Sequence, residues 1–227
     1  MGSSVRRSVL VAYTAIFAAL AILLTFSHAE VPFPLMPYLK FDFAEIPVML
    51  ALFLGGFGVG LSTSIIHWIV LTIARGWFLG PLMKFLAVAP MVIGSWIGIR
   101  MVKGRSLWKT LAMALLLGII FRVVVCSITN VVVLLWVAPD YLKFSASILK
   151  AIGFNISSET EALALTLWFT AIFNIIHVFL SSIVAYMVFK ATAKILPSTP
   201  KTMKKKCSDT SKHLISYSST QFLHKPL

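Results

Sequence analysis

Residues 9–26 read VLVAYTAIFAALAILLTF, eighteen residues without one charge. A helix needs about 20 apolar residues to cross roughly 30 Å of hydrocarbon, and this run has that length and character. Arg6 and Arg7 precede it as they would in a secretory leader. No small-residue cleavage site follows, and His28-Ala29-Glu30-Val31-Pro32 reads as a loop, so the run is expected to be a retained span.

Working outward, the pattern repeats. A Pro-rich loop runs through Pro32, Pro34 and Pro37 to Asp42, and further apolar stretches follow at 43–54, 59–74, 79–99, 110–137 and 161–189. The second stretch is short for a crossing and carries Pro47 near its start, where a missing N–H costs little. The sequence Gly55-Gly56-Phe57-Gly58 turns the chain into the third. The expected fold is all-α and integral to the membrane: a bundle of six transmembrane helices over residues 1–196. A polar basic cytoplasmic tail, expected to be disordered, occupies 197–227.

The composition agrees. Apolar residues make up 59% of the chain and charged residues 12%. Soluble domains carry about a quarter charged residues. Six crossings use nearly the whole chain and leave no room for a folded nucleotide-binding domain. The net charge of +13 does not point to nucleic acid, because the bases sit at span ends and in the tail. With both termini inside, fourteen Lys and Arg residues fall on the cytoplasmic side and five outside, with Arg122 inside a span. The positive-inside rule therefore favours the N-in, C-in arrangement. The Lys204-Lys205-Lys206 run suits either a solvated tail or attraction to anionic membrane lipid. Cys126 and Cys207 make no metal spacing and no plausible disulfide.

Polar residues within the spans call for an explanation. Arg122 and Asn130 fall in the fifth, Asn174 and His177 in the sixth, and His67 in the third. Intramembrane ionisable groups are costly and face the bundle interior or a wet cavity. Asn174 and His177 are three residues apart and share a helix face. With Asn130 at a matching depth, they suit a cavity open to the outside that reads a neutral heterocycle through amide and imidazole groups. The competing reading is interhelical hydrogen bonding that holds the bundle together. Arg122 lies too deep to snorkel and needs a partner, either backbone carbonyls or a ligand oxygen. His67 beside Trp68 reads as a packed, hydrogen-bonded histidine.

The stretch Tyr38-Leu39-Lys40-Phe41-Asp42-Phe43-Ala44-Glu45-Ile46-Pro47 gathers rings and charges at the outer mouth. Asp42 is placed to cap the second span, and Glu45 to sit in its first turn, where the helix dipole favours an acid. Tyr38, Lys40, Phe41 and Phe43 together suit a lid over a binding site. Small residues recur four apart, at Ala15 and Ala19, Gly56 and Gly60, and Gly94 and Gly98. Such faces let helices approach closely. The chain lacks a phosphate loop, a nucleophile with a nearby base and a metal-ligand cluster. Its two halves do not repeat, which speaks against an inverted-repeat carrier. The expectation is a non-enzymatic solute-binding protein that needs a partner to supply energy.

Over residues 12–190 the chain resembles the S components of energy-coupling factor (ECF) transporters, the small substrate-binding membrane subunits for vitamins. Within them it is most similar to the riboflavin-specific type. The residues that carry the likeness are Leu39 to Pro47, Gly80-Pro81, Asn130 with Pro139, and Phe173-Asn174-Ile175-Ile176-His177. The resemblance implies a vitamin held near the outer face under the loop between spans one and two. Leu39, Lys40, Phe41, Asp42, Phe43, Asn130, Asn174 and His177 are its candidate contacts. It also implies that Ala15 and Ala19 dock on a transmembrane coupling subunit, served by two cytoplasmic ATPases, in the cell membrane. Riboflavin is then a transported ligand and not a cofactor. The riboflavin-type pattern in span six reads Pro-Phe-Asn-Leu-Ile-Lys-Gly, and here Ile172, His177 and Val178 replace its proline, lysine and glycine. A related vitamin or flavin compound is the alternative ligand, and a structural or assembly membrane protein the alternative class.

Overall fold

The computed structural model describes residues 2–102 and 106–195. Helix α1 spans Gly2–Phe26, followed by strands β1 (Glu30–Phe33) and β2 (Met36–Asp42). Helices α2 (Glu45–Gly55), α3 (Phe57–Arg75), α4 (Leu79–Met101) and α5 (Leu107–Val132) come next. The last turn of α5, Val133–Val137, widens into a π-helix. Helices α6 (Asp140–Ala151) and α7 (Glu159–Ile195) complete the described chain. The basic tail at 197–227 lies outside the described residues.

Among the described residues, five helices are long and apolar enough to cross a membrane: Arg7–Phe26, Phe57–Arg75, Leu79–Met101, Leu107–Val137 and Glu159–Thr192. Of the six expected spans, the one at 43–54 is too short to count among them. Helix α2 has 11 residues, roughly 16 Å at 1.5 Å per residue, about half a bilayer core. Its middle is enclosed by protein. Val48, Met49, Ala51 and Leu52 are buried, and α2 packs on α1, α3 and α7. The fold is a multi-pass helical membrane bundle with a buried short helix at its centre.

Two loop assignments also change. The Pro-rich segment after α1 is an antiparallel hairpin pairing Glu30 with Asp42, Val31 with Phe41 and Phe33 with Met36. A two-residue turn at Pro34 and Leu35 joins the strands. Pro32 is tolerated because a two-stranded ribbon has only edges, where an absent N–H breaks no interior ladder. The segment between spans five and six contains α6, whose buried Leu142, Ser145 and Leu149 fall on one helix face. That face packs against α7 and β2.

The tightest helix contact is between α4 and α5. A Cβ on Gly94 would lie 2.3 Å from the Leu117 carbonyl oxygen, and one on Gly98 would lie 2.2 Å from that of Met113. On the facing helix, a Cβ on Gly118 would meet Ser95 Oγ at 2.5 Å. Only glycine fits this seam, and Ser95 crosses it to donate to the Ala114 carbonyl at 3.1 Å. Gly94 and Gly98 therefore serve internal packing. Ala15 and Ala19 instead lie on an exposed face of α1, beside Val11, Ile16, Leu20 and Leu23.

Two apolar cores flank the centre. One joins Val48, Met49 and Leu52 of α2 to Met91 and Val92 of α4 and Val178 of α7. The other joins Phe33 and Met36 of the hairpin to Leu142 and Leu149 of α6 and Phe169 and Phe173 of α7.

Candidate functional site

Between the two cores lies a buried polar cluster contributed by α2, α5 and α7. Arg122, Glu45 and His177 are each 2% exposed, and Asn174 is 4% exposed. The Arg122 guanidinium makes a two-pronged pair with Glu45, Nη1 donating to Oε2 at 2.6 Å and Nη2 to Oε1 at 3.0 Å. Its Nε donates to Asn174 Oδ1 at 2.7 Å. Its remaining contacts are Nη2 to His177 Nδ1 at 3.1 Å and Nη1 to Met91 Sδ at 3.6 Å. An arginine has five N–H donors and no acceptor, and each donor here has a partner. The arrangement explains how a cation persists in an apolar bundle. An unpaired charge there would be prohibitive, whereas a forked pair with further hydrogen bonds is tolerated.

The geometry also assigns the His177 tautomer. Arg122 can only donate, so Nδ1 accepts and the ring hydrogen sits on Nε2. From there it donates to the Asp42 carbonyl at 3.1 Å, with Glu45 Oε2 3.5 Å away. Asn174 is oriented likewise: its amide nitrogen donates to the Thr170 carbonyl at 2.9 Å, which turns its oxygen towards Arg122.

Aromatic rings cover this cluster. Phe41 stacks on Phe173 with centroids 4.8 Å apart and an interplanar angle of 29°. Its ring stands edge-on to His177 at 5.6 Å, and Phe33 meets it edge-on at 5.9 Å. Such pairs contribute about 0.5–1.5 kcal/mol beyond area burial. Phe41 lies on β2, so the hairpin closes the cluster.

The other expected residues fall as follows. Leu39 packs on the core beneath the hairpin. Lys40 is exposed and pairs across the ribbon with Glu30. Phe43 is half-buried, its N–H donating to the Ala29 carbonyl at 3.2 Å. Asp42 accepts from the Ala44 N–H at 2.7 Å, which turns the chain into α2, and its second oxygen pairs with Lys84 of α4. His67 is 4% exposed and shares a hydrogen bond of 2.9 Å with Thr25.

The structure thus brings Asn174 and His177 together beneath Phe41 and Asp42. Asn130 stands apart: it is half-buried, two turns along α5 from Arg122, and its side chain makes no hydrogen bond among the described residues. A cavity of about 290 Å³ opens between the end of α5, α6 and the start of α7, with Leu134, Leu142, Lys143, Ile156 and Ala162 in its wall. Neither Asn130 nor Asn174 lines it.

Sequence reasoning missed the partnership of Glu45 with Arg122. Glu45 reads locally as an acid in an exposed first turn, yet it is buried. The available signal was its apolar setting, Ile46 to Leu54, together with an in-span arginine lacking a counter-charge. Lys84 lies in the first turns of α4 and pairs with Asp42. Among the described residues, no group of three His, Cys, Asp or Glu side chains is placed to hold a metal ion.

Comparison with known proteins agrees on a single family. A family model described as "ECF transporter, substrate-specific component" matches residues 10–189. The riboflavin transporter RibU of Staphylococcus aureus (strain TCH60) is 29% identical over 181 residues, 79% of this chain and 87% of that one. A solved structure of the S component of a bacterial ECF transporter superposes with a TM-score of 0.62 at 25% identity, covering 84% of this chain and 99% of the other.

Proposed function

Given that the chain belongs to the substrate-specific components of ECF transporters, we propose that it binds riboflavin beneath its hairpin and delivers it inward. On this reading it works with a transmembrane coupling subunit and two cytoplasmic ATPases. The observation that carries the ligand assignment is the Arg122–Glu45–Asn174–His177 cluster capped by the Phe41–Phe173 stack. A flat heterocycle sliding between Phe41 and Phe173 replaces one stacking contact with two, and its polar edge faces the amide, imidazole and guanidinium. The relative from Staphylococcus aureus, a riboflavin transporter, is consistent with that chemistry.

In the riboflavin-type pattern a lysine occupies the place of His177. Here the cation at that depth is Arg122, projected from α5 instead of α7. It can serve a ligand carbonyl without deprotonating, since guanidinium stays charged at any physiological pH. The donor most easily released is the one on Met91 sulfur, a weak acceptor. Ala15 and Ala19, exposed on α1 among apolar neighbours, are the proposed docking face for the coupling subunit. Asn130 remains a proposed contact for a ligand that reaches further along α5.

A second reading has one observation in its favour: every donor of Arg122 is already satisfied within the chain, as expected of a purely structural network. Riboflavin titration of the detergent-purified full chain separates the two. Saturable quenching of flavin fluorescence that is lost in Asn174→Ala supports binding. The absence of quenching in the wild type, with no flavin found by mass spectrometry of the purified protein, refutes the assignment.

A further inference from the structure

Lys84 has no part in the cluster just described, yet it sits in a polar chain of its own. It projects from α4 with its side chain 19% exposed and pairs with Asp42, 14% exposed. Its Nζ also donates to Thr25 Oγ1 of α1 at 3.3 Å. Thr25 in turn is hydrogen-bonded to the buried His67 of α3. Three helices thus converge on the last residue of β2. Elsewhere the polar ties of the hairpin are local, apart from one to α6. The Lys40–Glu30 pair lies within the ribbon and is largely solvated, so it contributes little. Tyr38 reaches Ser145 of α6 at 2.9 Å. The Phe43 N–H bond to Ala29 stays within the same connection.

Asp42 is joined to the bundle on two sides. Its carboxylate faces Lys84, and its carbonyl accepts the Nε2 hydrogen of His177. Holding the carboxylate therefore also holds the carbonyl that fixes the His177 tautomer, and through it the donor Arg122 directs at Nδ1.

We propose that Lys84 is a positioning residue that latches the hairpin shut, acting through Asp42 on Phe41 and His177, with Thr25 and His67 holding the lysine in place. The inference rests on the reading of the hairpin as the cover of the ligand slot. A latch closes the hairpin whether or not the slot is filled. Its loss therefore speeds opening in the free and the loaded protein alike. Both association and dissociation accelerate, and the equilibrium constant moves much less than either rate. A merely structural role would lower stability throughout and would not speed association.

The test uses the full chain in detergent as wild type, Lys84→Met and Lys84→Arg, with two measurements. The first is amide hydrogen exchange without ligand. Lys84→Met is expected to raise exchange about tenfold across residues 29–43, an equilibrium shift of roughly 1.4 kcal/mol, with α5 and α7 unchanged and Lys84→Arg close to wild type. Unchanged exchange in the hairpin, or a rise spread evenly over the bundle, overturns the latch. The second is stopped-flow quenching with riboflavin as probe, where on- and off-rates are both expected to rise about tenfold in Lys84→Met. A rise in the off-rate alone overturns it. If wild-type protein does not quench riboflavin, the proposed ligand fails, and the exchange measurement still decides the latch.

Discussion

Removing Glu45 alone should destabilise this chain more than removing Glu45 and Arg122 together. Glu45→Met takes away the acceptor for two of the five donors of Arg122 and leaves a guanidinium that is 2% exposed without a counter-charge. Breaking one side of a buried pair costs about 3–5 kcal/mol. Arg122→Met strands the carboxylate with only His177 and Ser181 Oγ, the latter 3.3 Å away, and should cost a similar amount. The double variant carries neither charge. It loses the hydrogen bonds of Arg122 to Asn174 and His177, about 1 kcal/mol each, and methionine refills much of the volume. It should therefore lie about 2 kcal/mol below wild type, above both single variants. At about 2–4 °C per kcal/mol for a chain of this size, each single variant should melt roughly 10 °C lower and the double about half as far. Thermal unfolding of detergent-solubilised protein, followed by tryptophan fluorescence, gives all four values. A double variant at least as unstable as the sum of the singles would refute the mutual dependence of the two charges.

Phe41→Ala should raise the riboflavin dissociation constant about tenfold by removing one face of the stack, measured by fluorescence quenching; unchanged affinity removes Phe41 from the slot. Asn174→Leu orphans Arg122 Nε and should cost about 1–3 kcal/mol of stability as well as binding. Asn130→Leu has no hydrogen bond to lose and should keep its melting temperature, so a loss of quenching in that variant alone would identify Asn130 as a ligand contact. Gly98→Ala places a Cβ 2.2 Å from a carbonyl oxygen and should destabilise by about 1–3 kcal/mol. Gly58→Ala meets nothing within 4 Å in α3 and should instead gain about 0.5–1 kcal/mol.

The long helices were legible because a span of hydrocarbon imposes its length on sequence: the runs read at 9–26, 59–74 and 79–99 lie inside α1, α3 and α4. Short elements announce themselves less. The apolar positions of α6, Leu142, Ser145 and Leu149, include a serine, and twelve residues fall below the length a membrane demands. In the hairpin, three prolines masked two strands whose partner lies across a turn only two residues long. At the site, Asn174 and His177 were recognisable as polar groups sharing a face in an apolar helix. What they touch was not, because the partner of Arg122 lies 77 residues earlier in the chain. Glu45 stands in a first turn, as a solvated acid would, and the apolar run after it is the local hint to the contrary. Only the packing of α2 inside the bundle turns it into a counter-ion.

The glycine seam between α4 and α5 has a consequence for how the chain can move. Lys84 belongs to one of those helices and Arg122 to the other, and the seam makes them prongs of a single rigid fork. Their anionic partners, Asp42 and Glu45, sit three residues apart on one strip of chain and fit that fork as a plug fits a socket. Pulling one pin loosens the other. The strip between Asp42 and Glu45 is thereby pinned at both ends to one rigid surface.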